Sequence, residues 1–302
     1  MPSMPAISLA TVPGRRAPIV EAAAEAERRG FTGVHCPSLG DAMGLCLSIA
    51  HVTNTIEFGT SIQPIYLQHP AQLSTQASYV GEISNGRFHL GIGVSHGPVH
   101  HRLGTDVGKP LSDTRAYVSA MQANEKSSGP LPPITLATLR DKMLDLSVEI
   151  ADGAVWANAS LNDMPRSIAR IPDDKKAAGF FIGNMIPTVI DDDREAAANR
   201  NRATLRGYVS LPNYRNYWKQ AGYEDEMTTI ETAIAARDDD KITAAMSDTW
   251  LSSCTLYGSV DAVRDGVEAW FEAGVTTPIL VPSSTKGGQM VAIKELFDAF
   301  SQ

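Results

Sequence analysis

Short apolar runs alternate with amphipathic stretches along the whole chain. Residues 6–11 (AISLAT) form a small apolar run of strand length. In residues 15–29, Ile19, Val20, Ala23 and Ala26 recur at helical spacing among Glu and Arg. Gly30, after that basic end, supplies the stop. Residues 32–36 predict strand two, and Asp41 caps a helix that runs to His51. Residues 56–62 predict strand three. His69-Pro70 then opens a helix to Ile83, with proline in a first turn where no hydrogen bond is lost. Strand four lies in residues 86–98, after the turn pair Asn85-Gly86.

The alternation continues. A helix is predicted over 109–123, then a polar, Gly/Pro-rich connection over 124–133, strand five over 134–138 and a helix over 141–151. Strand six falls at 154–158 and strand seven at 180–190. Asp191, Asp192 and Asp193 place negative charge at the next helix start, which suits its dipole. Residues 194–247 read as all helical, broken at Pro212 and Gly222. A short apolar run at 254–257 precedes Ser259, a predicted N-cap, and that helix stops at Gly274. Strand eight is 276–281, and a helix over 289–300 closes the chain.

Eight strands separated by helices demand a parallel sheet. A (β/α)8 TIM barrel needs about 250 residues, so 302 leaves room for a helical excursion at 191–250. A doubly wound open sheet is the alternative. The count closes at eight, and the dinucleotide fingerprint fails: after Gly91-Ile92-Gly93 its third glycine would fall at 96, which is His. One domain over 1–302 is the simplest division. A net charge of −8 argues against nucleic acid or an anionic membrane as partner. Three cysteines, none in CxxC spacing, no apolar run of membrane-spanning length and no signal-peptide pattern lead us to expect a reduced, cytoplasmic protein.

In a barrel the site lies at the carboxyl ends of the strands. Gly91-Ile92-Gly93 there gives way to Ser95 and His96: glycines that admit a flat ligand, then a hydroxyl and an imidazole. A plain core strand followed by a surface loop is the competing reading. The other strand ends bring His35-Cys36, Ser61-Ile62-Gln63, Ala137-Thr138-Leu139-Arg140, Asn158 and Ser283. No carboxylate pair stands among them, which disfavours acid–base hydrolysis, and no histidine has metal-ligand spacing. Gly93-Val94-Ser95-His96-Gly97 matches the letters of a nucleophile elbow. No helix is expected to start at Gly97-Pro98, however, so that geometry is not expected. A neutral, apolar-walled mouth with a few donors suits a bound cofactor that brings its own chemistry.

The order of motifs resembles the luciferase-like flavin and deazaflavin oxidoreductases. The pieces are Phe31-Thr32-Gly33-Val34, Ile56-Glu57-Phe58-Gly59-Thr60, His69-Pro70-Ala71-Gln72-Leu73, Gly86-Arg87-Phe88-His89-Leu90-Gly91-Ile92-Gly93, Ala151-Asp152-Gly153-Ala154 and Glu272-Ala273-Gly274-Val275. Ser95-His96-Gly97-Pro98-Val99 and Leu211-Pro212-Asn213-Tyr214-Arg215 resemble members described as dependent on coenzyme F420. The resemblance implies a luciferase-like TIM barrel, hydride transfer between a deazaflavin and a small-molecule substrate, and a homodimer. FMN is the alternative cofactor, with monooxygenase or reductase chemistry; a degenerate, non-catalytic barrel is the third reading. It also implies a bulge with a non-prolyl cis peptide on strand three, here at Ser61-Ile62, behind the ring. Cofactor contacts then fall to Ser61, Ile62, Gly93, Ser95, Thr138, Leu139 and Arg140, and catalytic roles to His96 and Ser95. The chain departs from the family pattern at Ser38-Leu39, where an Asp-His pair is usual, and at Leu139-Arg140, where a Gly-rich turn is usual. The 124–133 connection is also short.

Overall fold

The computed structural model describes residues 4–300. Eight parallel strands close into a barrel: β1 (Ala6–Ser8), β2 (Gly33–Cys36), β3 (Glu57–Thr60), β4 (Phe88–Gly93), β5 (Ile134–Ala137), β6 (Gly153–Ala157), β7 (Phe181–Ile190) and β8 (Thr277–Ser283). Each pairs with the next. β8 closes the ring, pairing Ile279 with Ala6 of β1 and Thr277 with Gly183 of β7. The eight predicted strands are these eight. The open-sheet alternative is excluded, because no barrel strand is left with a free edge.

Helices clothe the barrel: α1 (Arg16–Arg28), α2 (Ala42–Val52), α3 (Pro70–Ile83), α4 (Gly97–Leu103), α5 (Pro110–Ala123) and α6 (Asp141–Ile150). The expected stops and caps are present. Gly30 has φ +79°, and the Asp41 side chain accepts the Gly44 N–H at 2.9 Å. Asn85 and Gly86 both turn through positive φ.

The excursion runs through α7 (Arg194–Val209), α8 (Pro212–Gln220), α9 (Glu224–Ala236), α10 (Asp239–Ala244) and α11 (Asp248–Cys254). Its breaks fall at Pro212 and Gly222 as expected, and again at Arg237, which has φ +56°. The short run near 254–257 is a three-residue strand, Leu256–Gly258, that pairs in parallel with the far end of β7. Then come α12 (Val260–Glu272), capped by Ser259, and α13 (Gln289–Ala299). Two expectations fail locally. The 124–133 connection contains a helical turn, Glu125–Ser128. A helix also does start at Gly97, with Pro98 in its first turn; that position needs no N–H, so proline favours the start rather than blocking it.

The main core lies between barrel and helices, where Trp156, Trp218, Trp250 and Trp270 are wholly buried. Inside the barrel the side chains are smaller: Ala6, Val155, Met185 and Ile279, with Phe181 packed against them. The rings of His35 and His89 lie 5.4 and 6.1 Å from that of Phe181.

One carboxylate clamps α1 to the turn before β3. Oε1 of Glu27 accepts the N–H groups of Asn54, Thr55 and Ile56 at 2.8, 2.6 and 2.9 Å, and the Thr55 hydroxyl at 3.0 Å. Burial pushes the Glu27 pKa up, but these four donors outweigh it and hold it at about 2. Glu27→Gln is expected to lower stability by about 2 kcal/mol at pH 7. The clamp is complete above pH 4.5 and is lost as pH falls from there toward 2. In urea melts, the gap between Glu27→Gln and the parent should therefore narrow on acidification; a gap that stays constant would refute the clamp.

Candidate functional site

The third strand breaks where the site begins. Phe58 pairs with Phe88 and Gly59 with His89, an offset of 30. Past the break Gln63 pairs with Ile92 and Pro64 with Gly93, an offset of 29. One extra residue has entered, which is a β-bulge. The Ser61–Ile62 peptide within it is cis, at the position the resemblance indicates. The Ser61 N–H donates to the Cys36 carbonyl at 2.7 Å, and the Thr60 hydroxyl to the Gly91 carbonyl at 2.6 Å.

Neighbouring glycines answer that bulge. A Cβ on Gly91 would stand 2.0 Å from the Thr60 carbonyl oxygen. A Cβ on Gly93 would stand 2.7 Å from the Ala137 Cβ and 3.1 Å from the Ile62 side chain. Ile62, Gly93 and Ala137 therefore meet at the ends of strands three to five, with no room for larger groups between them. Ala157 and Val281 continue this small apolar floor around the interior.

Polar groups rise from the rim of the floor. Ser95 is half-buried and has φ +62°; Asn158, at the end of β6, has φ +57° and is buried. Left-handed backbone is uncommon outside glycine, and asparagine tolerates it best. The buried Thr138 hydroxyl has no hydrogen-bond partner, while the buried Asn158 side chain is directed at the Tyr208 and Tyr214 hydroxyls. An unpaired buried donor is uncommon and calls for a partner, an ordered water or a bound molecule.

His96 reaches across the rim to the excursion. Its ring stands edge-on to Tyr214 at 5.6 Å and to Tyr208 at 6.0 Å, and those two rings meet at 5.0 Å. Tyr214 continues to Trp218 at 5.4 Å, and the Trp218 indole N–H donates to the Asn158 carbonyl at 3.2 Å. The helices α7 and α8 thus lay an aromatic wall over strand ends four to six. Burial, and then the neighbouring His100, lower the pKa of His96, so its imidazole is neutral at pH 7. Burial raises both Tyr208 and Tyr214, with Asn158 opposing the rise.

The remaining expected residues are placed as follows. Ser61 is buried behind the floor. Leu139 packs against the main core, and Arg140 is exposed just before α6, with no ion pair among the described residues. Trp156 is buried in the outer core rather than at the mouth, and Tyr66 donates to Asp113 at 2.6 Å. The G-x-S-x-G run does sit between a strand and a helix, contrary to expectation. Still, no hydrogen bond joins Ser95 to a histidine among the described residues. The His96 ring is on the tyrosines, and His100 Nε2 is 2.5 Å from the Val94 carbonyl oxygen. A nucleophile needs its base within reach, and none is. A groove of about 420 Å³ between Arg194, Arg202, Asp248 and Tyr257 lies off these strand ends. Its charges are already engaged, Arg202 with Asp248 and Arg194 over the Tyr257 ring.

A flat cofactor of the flavin class fits these residues. The floor of Ile62, Gly93 and Ala137 accepts a ring system, and the unpartnered Thr138 hydroxyl can donate to a ligand oxygen. The luciferase-like monooxygenase family model matches residues 5–277. The chain belongs to that family. Its relatives include the uncharacterised protein Rv1360 of Mycobacterium tuberculosis, 24% identical over 321 residues, covering 91% of this chain and 93% of that protein. The 5,10-methylenetetrahydromethanopterin reductase of Archaeoglobus fulgidus is 23% identical over 275 residues, covering 80% and 83%. Among solved structures, the coenzyme F420-dependent tetrahydromethanopterin reductase of Methanopyrus kandleri superposes with a TM-score of 0.76 at 17% identity, covering 98% of both chains. The oxygenating constituent of 3,6-diketocamphane monooxygenase from Pseudomonas putida, in complex with FMN, gives 0.65 at 16% identity, covering 100% and 98%. These superpositions establish the fold as that of luciferase-like barrels.

Proposed function

We propose that the chain is an oxidoreductase that uses a deazaflavin, coenzyme F420, to move a hydride to or from a small organic substrate. The bulged third strand, with Ile62 set against Gly91 and Gly93 of β4, carries this reading. Relatives named for coenzyme F420 or for a methanopterin reductase support it. When bound, the deazaflavin supplies two-electron hydride chemistry. Ile62 and Gly93 would back its ring, with Ser61 behind them. Thr138 would donate to its oxygens, and Arg140 would pair with its anionic tail. Ser95 and His96 would stand beside the ring. His96 would take up the proton that accompanies the hydride as a neutral imidazole, and in the reverse direction would return it as the imidazolium. The chain works in this reading as a cytoplasmic homodimer; its three cysteines are buried and unpaired. No helix among the described residues is long and apolar enough to cross a membrane.

A second reading replaces the deazaflavin with FMN, as in the Pseudomonas putida neighbour. Titrating the purified protein with each cofactor and following cofactor fluorescence separates the two. The expected result is tight deazaflavin binding and weak FMN binding. Arg140→Ala is expected to weaken the deazaflavin about tenfold, the loss of one charge-assisted contact, without moving the melting temperature, because Arg140 is exposed. Tighter FMN binding would replace the deazaflavin reading. Binding of neither by a folded protein would favour the non-catalytic barrel.

A further inference from the structure

One side of the mouth is held far less firmly than the rest. Between Gly93, at the end of β4, and Thr114, in α5, no described side chain is buried. The next such run, 122–131, is much shorter. The segment contains α4, and a helix of seven residues is marginal in water on its own. Its hydrogen bonds close on themselves. The Val99 and His100 N–H groups donate to the His96 carbonyl, that of Thr105 to the His100 carbonyl, and that of Gly108 to the Asp113 carboxylate. A Cβ on Gly97 or Gly104 would meet nothing within 4 Å. Segments with few buried contacts are the first to open.

Beyond its two ends, the directional contacts of this segment with the rest of the described chain are made by rings alone. His96 stands edge-on to Tyr214 and Tyr208 at 5.6 and 6.0 Å, and His100 edge-on to Tyr66 at 5.3 Å. The surface that receives His96 is, by contrast, fixed. The Asn158 side chain is directed at the Tyr208 and Tyr214 hydroxyls, and the Trp218 indole N–H donates to the Asn158 carbonyl at 3.2 Å. Further on, the Ser160 N–H donates to the Tyr217 hydroxyl at 2.9 Å, and the Asn162 side-chain amide to the Ala221 carbonyl at 3.2 Å. The loop after β6 thus stitches α8 and the end of α7 in place. A rigid wall meets a loose one at His96.

We infer that residues 94–112 are a gate at the side of the mouth, opening as a unit between β4 and α5, and that the His96 ring seated on Tyr208 and Tyr214 is the catch that holds it shut. Shut, it keeps His96 at the rim of the floor; open, it carries His96 away and clears that side for a molecule to enter or leave. The groups facing His96 are Tyr208 from α7, Tyr214 from α8 and His100 from the gate itself, with no carboxylate among them to hold an imidazolium. The seated ring is therefore neutral, and acid should lift the catch as pH falls below about 6.5, where a free histidine titrates. The gate goes beyond the oxidoreductase reading and does not depend on which cofactor the mouth takes.

The test is hydrogen exchange followed by mass spectrometry on the full chain without cofactor. At pH 7.5, peptides from 95–111 are expected to exchange together, at least about tenfold faster than those of α3 and α5. His96→Ala removes the ring contacts and should speed the gate about tenfold more, the worth of its edge-on pairs. The exchange of α3 and α5 and the melting temperature should stay as in the parent. His96→Phe keeps a ring on the tyrosines but cannot titrate. It should match the parent at pH 7.5 and lack the extra opening that the parent shows at pH 6, after correction for intrinsic exchange rates. Trypsin gives an independent reading: Arg102 is exposed, so the Arg102–Leu103 bond should be cut first, and sooner in His96→Ala. Exchange of 95–111 as slow as that of α5 would overturn the gate. A His96→Ala gate no faster than the parent's would overturn the catch, and so would faster exchange throughout the barrel, which would mean a merely structural role. Deazaflavin titration of the same samples decides the cofactor reading separately, because exchange is read without cofactor.

Discussion

Replacing Arg87 with alanine is expected to destabilise the protein by about 4 kcal/mol, because several buried acceptors lose their donor at once. The Arg87 guanidinium donates to the Ser84, Ile56, Ala50 and Thr53 carbonyls at 2.9, 3.1, 3.2 and 3.1 Å, and to the Thr53 hydroxyl at 2.8 Å. It also lies 5.3 Å over the Phe58 ring. One side chain thus closes the end of α2 and the starts of β3 and β4, beneath the strands that carry the bulge. Arg87→Lys should recover less than half of the loss, since an ammonium cannot reproduce a planar fork of five donors. The measurement is the urea midpoint of both variants, with a fall of roughly 10 °C in melting temperature for Arg87→Ala. A loss no larger than that of an ordinary surface substitution would refute the assignment. So would a lysine variant indistinguishable from the parent.

The elements beneath the site were legible because they obey local rules. Alternation of apolar runs with Gly and Pro stops gives all eight barrel strands. Asp41, Ser259 and Gly30 act on their immediate neighbours, so their caps and stops could be read from a few residues. The bulge at Ser61–Ile62 was not readable from periodicity and entered only through the resemblance. The start of α4 was misread for a physical reason: Gly-Pro is a break inside a helix but is tolerated at its first turn. The aromatic wall was the least legible part. Tyr208 and Tyr214 lie more than a hundred residues from His96 and meet it only because α7 and α8 fold back over the mouth. Asn158 did carry a signal, as the asparagine at a strand end most able to adopt positive φ. His35 was read as a strand-end residue and His89 as part of strand four, but nothing in the sequence paired them, because an inward-facing histidine looks like any polar residue in an alternating strand.

That interior pair sets the second large effect, a loss of stability in mild acid. His35 is buried against Phe181, and its pKa is lowered to about 3, first by burial and then by the charge of His89. His89 is lowered too by burial, with Glu57 and Asp152 opposing. In the unfolded chain a histidine titrates near 6.5. Below that pH the unfolded state binds a proton that the folded state refuses, so stability falls as pH drops from 6.5 toward 3 and is unaffected above 6.5. For His35 alone the loss at pH 5 is about 2 kcal/mol, from 1.36 kcal/mol per unit over the interval of about 1.5 units below 6.5. The Glu27 clamp and other paired carboxylates act only below about pH 4.5, so the histidine phase stands clear of them. Urea unfolding followed between pH 7.5 and 5 should therefore show a falling midpoint. His35→Gln, which fills a similar volume without a titrating ring, should flatten that slope even though it lowers stability at pH 7.5. An equal slope in parent and variant would mean that the folded barrel admits the proton, and that the packing around Phe181 opens in mild acid to let the imidazolium reach water.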